Sequence, residues 1–278
     1  MRIINKFTMA AVLGSIVSMP ALAETWSSTE VHFQSGNLEQ VGTGGATVDT
    51  TIITLQHAGG WEYGDNFFFV DHITFDSDGK GDNPFNAGSD GSEFYGEWYS
   101  NFSLGAITGN EIKFGPVKDI GVIAGLNFAP EVDSYWLLPG VRFALDLPGF
   151  AFANLDVTAY LQDSTGDKNA SHFTILDEDD SWMVDFNWAY PFKIGSTSWS
   201  FEGHVEYIDG RDQVTNFGSG ELEYWILAQP QLRFDIGEAM GGKAGRIFIG
   251  IEYQYWKNKL GEKGTNDNEA QLLAVWHF

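Results

Sequence analysis

Aromatic and carboxylate side chains recur two residues apart along this chain, a spacing that can bind a flat polar solute. Phe67, Phe69 and Asp71 stand at alternate positions of the run Phe67-Phe68-Phe69-Val70-Asp71-His72, and Tyr95 and Glu97 repeat the pairing. In an extended strand residues two apart share a face, so each set projects to one side. Apolar residues fall on both parities of 67–70, so alternation alone does not orient that run. Placing Asp71 inward carries Phe67 and Phe69 with it as a two-ring ladder. Ring faces stack on planar solutes, and carboxylates and amides pair with polar edges. A neutral nucleobase bearing a ribose would use both. Arg142, Asp156, Tyr160, Glu202 and Arg233 are the other candidate contacts, each on the polar face of an alternating stretch.

Other chemistry is thinly represented. His32, His57, His72, His172 and His277 are scattered, and none forms a metal pair at useful spacing. Asp76-Ser77-Asp78-Gly79-Lys80-Gly81-Asp82 has the spacing of a loose calcium loop but lacks the downstream bidentate Glu. Asp177-Glu178-Asp179-Asp180 reads as a solvated loop face. Ser200 and His204 share a face with no third group in view, and no G-x-S-x-G elbow is present. With no cysteine, thiolate chemistry and cysteine metal sites are excluded. The expectation is therefore a protein that is not an enzyme, with no catalytic set, metal or cofactor.

These residues need elements to hold them. Arg2 and Lys6, an apolar run from Phe7 to Val17, and Ala21-Leu22-Ala23 before Glu24 have the pattern of a cleaved signal peptide over 1–23. The remainder, 24–278, reads as one domain. Charges, glycines or amides interrupt its apolar stretches too often for a membrane-spanning helix, which needs roughly 20 apolar residues. In lipid the remaining way to satisfy the backbone is a closed barrel.

Alternation supports the barrel. Leu155, Val157, Ala159 and Leu161 alternate with Asp156, Thr158, Tyr160 and Gln162. Trp182, Val184, Phe186, Trp188 and Tyr190 alternate with Met183, Asp185, Asn187 and Ala189. Phe278 ends a final strand, with Trp276, Ala274 and Leu272 on one side, an aromatic ending common among outer-membrane barrels. Strands are predicted near 25–35, 47–57, 62–75, 92–103, 117–129, 135–146, 150–162, 181–190, 198–208, 221–236, 246–257 and 268–278. This is an all-β, transmembrane, antiparallel up-and-down barrel of about twelve strands. Turns fall at 58–61, 104–116, 147–149, 191–197 and 237–245 on the periplasmic side. Exterior loops fall at 36–46, 76–91, 130–134, 163–180, 209–220 and 258–267. Asp146, Asp185, His204, Glu223 and Gln229 are also expected on the inward face.

Composition fits: 43% hydrophobic, 15% aromatic and 33 glycines. The 38 acidic residues against 15 Lys and Arg, net charge −23, disfavour nucleic acid and phosphate-rich ligands as partners. Acidic exterior loops could hold divalent cations beside lipopolysaccharide. At about twelve strands the interior lies between filled eight-stranded barrels and open porins. Two readings of the polar wall stand open: a narrow solute pore, or a salt-bridged plug.

The stretches Gly60 to Asp71, Tyr95-Gly96-Glu97-Trp98, Leu145 to Phe152 and Ile251 to Lys259 resemble the nucleoside-specific channel-forming outer-membrane family, Tsx-like, in its OmpK-type branch. The resemblance runs in order from about residue 48 to the end. It implies a monomeric twelve-stranded outer-membrane barrel passing nucleosides or similar small neutral solutes, with a phage receptor in its loops. A closed surface barrel acting as phage receptor or adhesin is the alternative.

Overall fold

Strands that pair only with neighbours leave two unsatisfied edges, which lipid does not tolerate; joining the first strand to the last removes both. The computed structural model, which describes residues 25–42, 47–75 and 91–278, does this. In chain order the strands are β1 (Trp26–Glu39), β2 (Thr47–Trp61), β3 (Gly64–Phe75), β4 (Ser92–Ser103), β5 (Val117–Ala129), β6 (Ser134–Leu145), β7 (Phe152–Ser164), β8 (Ile175–Glu178), β9 (Ser181–Ile194), β10 (Thr197–Ile208), β11 (Arg211–Thr215), β12 (Gly218–Leu222), β13 (Trp225–Ala228), β14 (Gln231–Asp235), β15 (Ile247–Lys257) and β16 (Asp267–His277). Each wall strand pairs antiparallel with its neighbours, and β1 pairs with both β2 and β16. With β13 and β14 as two halves of one interrupted strand, the barrel has the expected twelve. The signal segment and the calcium-like loop at 76–82 lie outside the described residues.

The alternation runs as the sequence predicts. Phe33, Ile53, Leu55, Phe94, Val157, Ile251, Tyr253 and Leu272 are exposed on the outer surface, while His32, Gln34, Thr54, Asp156, Thr158 and Gln271 are buried on the inner one. Trp188, expected to face lipid, is instead buried; its ring lies against those of Phe186 (5.4 Å) and Phe201 (5.5 Å). No helix among the described residues is long and apolar enough to cross a membrane.

Differences from expectation gather at the ends. The 104–116 turn holds a short helix, α1 (Leu104–Thr108), whose N-cap Ser103 accepts from Ala106 N. The 237–245 turn holds α2 (Ile236–Ala239), capped by Asp235. The stretches 163–180 and 209–220 are not plain loops: β8, β11 and β12 form a separate three-stranded sheet, drawing in the start of the strand expected at 221–236. Asp146 is exposed beyond the end of β6, and Glu223 lies between β12 and β13, pairing with Lys263 at 2.6 Å; neither faces the lumen. The expected 221–236 strand breaks again at Gln229-Pro230, because proline has no N–H for the ladder. Gly203 opposes the break with φ +146°, and a Cβ there would lie 2.3 Å from Gln229 O.

Candidate functional site

The lumen holds a cavity of about 430 Å³. Trp26, Lys118 and Phe152, near the barrel end where β1 begins and β16 ends, line it, as do Tyr99, Met183 and Glu206 deeper in. One wall is aromatic. Phe67 and Phe69, on one face of β3, have ring centroids 6.1 Å apart, and Phe69 lies 6.0 Å from Tyr95 of β4. Polar groups flank this wall: Thr54 donates to Asp71 at 2.6 Å, and Tyr95 Oη donates to Glu97 at 2.6 Å. Asn127 Nδ2 donates to the same Glu97 at 3.0 Å and to Tyr95 Oη at 3.1 Å. The ring faces are thus left as an apolar surface between acceptors.

Both arginines of the lining are already committed. Arg142 donates from Nε (2.9 Å) and Nη2 (2.7 Å) to the two oxygens of Asp156, and from Nη1 to Asp65 at 2.9 Å. This reach from β6 to β3 spans both β5 and β4; at Gly121 of β5, the register partner of Arg142, a Cβ would lie 1.8 Å from Asn101 Oδ1 of β4. Arg233 pairs with Glu30 at 3.0 Å and Glu202 at 3.4 Å, and donates to Gln231 at 2.7 Å. Each guanidinium therefore bridges two carboxylates, the arrangement in which a planar fork is most effective.

Between these bridges the polar groups form a belt. Asn187 donates to Asp185 (2.7 Å), and His204 lies between Asp185 (3.2 Å) and Gln229 (2.9 Å). Gln229 in turn reaches Glu252, which also accepts from Gln34 (3.3 Å), Gln231 (2.5 Å) and Gln271 (3.1 Å). Gln34 accepts from Thr54, whose hydroxyl also reaches Asp71. On β3 the belt is interrupted between Asp65 and Asp71 by Phe67 and Phe69.

Of the sequence candidates, Phe67, Phe69, Asp71, Glu97, Arg142, Asp156, Glu202 and Arg233 all line this one cavity. Tyr95 stands against Phe69, bound to Glu97. Tyr160 is not brought together with them: it lies in a separate aromatic cluster with Trp136 (5.8 Å) and Trp225 (6.2 Å). Glu178, read as part of a solvated acidic face, is buried against Arg211. The glutamine cluster and the Asp185–His204 pair were not among the candidate contacts, although Asp185, His204 and Gln229 belong to the expected inward face; Gln34, Gln231 and Gln271 sit at inward positions of their strands, and Gln229 in the break between β13 and β14. Ser200 donates to Glu202 at 2.5 Å, so Ser200 and His204 are not assembled as a nucleophile and base. Among the described residues no group of three or more His, Asp or Glu side chains is placed to hold a metal ion.

No protein-family model and no curated protein matches the sequence. Among solved structures the chain is similar to the COG4313 outer membrane channel from Pseudomonas putida F1, with a TM-score of 0.51 and 9% identity over 94% of this chain and 99% of that one. At that identity the likeness is one of fold. A closed twelve-stranded barrel of this kind fits an outer-membrane location.

Proposed function

We propose that the chain is a monomeric outer-membrane channel for passive diffusion of nucleosides or similar small neutral solutes. The observation that carries this reading is the Phe67–Phe69 pair, backed by Tyr95, which lines a cavity whose other walls carry many carboxylates and amides. A nucleobase would stack on the rings while its ribose hydroxyls donate to acceptors such as Asp71 and Glu97. The acid excess opposes nucleotides. Two likenesses support the channel role: the Tsx-type stretches, and the fold of a protein described as an outer membrane channel. Flow down a gradient needs no cofactor.

Planar-bilayer conductance tests the reading. Adenosine or thymidine at millimolar concentration blocks the current, and Phe67→Leu or Phe69→Leu weakens the block about fivefold each, the equivalent of roughly 1 kcal/mol per lost stacking partner. A protein without conductance, or a current indifferent to both nucleosides, overturns it.

A second reading is favoured by the ordered sheet at the loop end, whose hairpin tip carries Phe217, 75% exposed. Such a tip suits a phage-binding face, and that role is compatible with the channel.

A further inference from the structure

The cavity stops short of the end where β1 ends and β16 begins. There the lumen changes character: Met183, at the cavity's edge, joins Trp136, Leu138, Tyr160, Ile208 and Trp225 in a buried apolar cluster. Tyr160 belongs to β7 and Trp225 to β13, with β9 and β10 between them in the wall, so their contact at 6.2 Å spans a chord of the lumen. Neither ring lines the cavity. The β8–β11–β12 sheet lies against this cluster. The guanidinium of Arg211 sits 4.8 Å from the Tyr160 ring centroid and 4.5 Å from that of Trp225. It pairs with Glu178, which also accepts from Trp136 Nε1 at 3.2 Å and Gln213 Nε2 at 3.0 Å. The Glu178 and Arg211 side chains are 0% and 2% exposed.

We infer that this sheet is a gate over the outer mouth of the lumen, latched by Arg211 and Glu178 on the Trp136–Tyr160–Trp225 cluster. The inference rests on the channel reading above. Two features suit a moving part. First, β8, β11 and β12 form a hydrogen-bonded sheet of their own, outside the barrel ladder, so displacing them leaves the wall pairing intact. Its ties to the wall lie at its feet, as in Asp209 N to Trp182 O (3.1 Å), Glu223 N to Gly261 O (2.9 Å) and the Ser164 hydroxyl of β7, which donates to Ile175 O at the start of β8. Second, the latch is ionic. A buried ion pair contributes little net stability, because both partners regain water when separated. Aromatic stacking of the guanidinium supplies registry in the closed state. Removing one partner is different: the survivor is left buried and unpaired, which favours the lifted state.

The test uses the full chain in bilayers and proteoliposomes. Arg211→Ala raises the time-averaged conductance at least severalfold. With no native cysteine, Ile175→Cys, at the start of β8 and packed into the apolar cluster at 4% exposure, reports lifting through its reaction with a charged thiol reagent; Arg211→Ala speeds that reaction about tenfold. Arg211→Lys retains the charge without the planar stack, gives an intermediate value in both assays, and serves where the alanine variant fails to fold. Heat-modifiable gel mobility confirms a folded barrel. Unchanged conductance and unchanged thiol reactivity in a folded variant overturn the gate. Faster thiol reaction in variants that never conduct would instead overturn the channel reading while leaving a liftable sheet established.

Discussion

Arg142 is the group whose removal the geometry prices most clearly. Its guanidinium bridges Asp156 and Asp65, and it is itself 9% exposed. Arg142→Met keeps most of the side-chain volume but leaves both carboxylates without their cation. Asp156, 5% exposed, bears most of the penalty; Asp65, 31% exposed, rehydrates and keeps Asn101 as a donor at 2.7 Å. Breaking a buried pair costs about 3–5 kcal/mol, and the partial exposure of Asp65 places this case near 3 kcal/mol. With a urea m-value near 3 kcal/mol/M, the unfolding midpoint in lipid vesicles falls by about 1 M. The companion variant removes the whole set, Arg142→Met with Asp65→Asn and Asp156→Asn. Replacing a buried ionic cluster by neutral groups is often close to neutral, so this triple variant recovers most of the lost midpoint. A single variant as stable as wild type, or a triple variant no better than the single, would show that the bridge does not hold the wall as argued.

The lumen's charge and its broken strand give two further expectations. Eight carboxylates line the cavity against three Lys or Arg side chains, so the reversal potential in a KCl gradient shows cation preference. The preference fades from 0.1 M to 1 M salt as the screening length drops from about 10 Å to about 3 Å, and anion preference at low salt would contradict the inward assignment. Gly203→Ala forces a side chain into φ +146° with its Cβ 2.3 Å from Gln229 O; the cost is roughly 1–3 kcal/mol in the same urea titration, and an unchanged midpoint refutes the account of the break.

What could be read in advance followed from period two. Residues 92–103 and 117–129 emerge as strands with the predicted bounds, because in them sidedness alone decides burial. The inward placement of Phe67 and Phe69 needed Asp71 as a phase marker within an all-apolar run, and the structure has all three on one face. The misreadings arise where another force competes with the lipid–lumen pattern. Tyr160 obeys the alternation but lies too near the loop end to meet the others. Trp188 has the outward phase, yet neighbouring rings cover it. The 221–236 segment reads as one alternating stretch, but its first residues pair with β11, and Pro230 withholds a ladder hydrogen. Glu178 looks like one acid of four, until a separate sheet turns it onto Arg211.

Closure accounts for the part of the site least visible in sequence. Glu252 is 2% exposed, and the four amides it accepts from come from both sides of the seam where the first strand meets the last. Gln34 is 218 positions away along the chain. Four N–H dipoles can solvate a carboxylate without a cation, as backbone amides do at anion sites. An amide lacks a cation's fixed charge, so Glu252 has its hydrogen bonds satisfied without an ion pair of its own. The same acid type is therefore held by different means: guanidinium bridges take Asp65 and Asp156 on one wall and Glu30 and Glu202 on the other, whereas Glu252 is held by glutamines alone. The aromatic pair on β3, between Asp65 and Asp71, offers a solute contact that displaces no hydrogen bond.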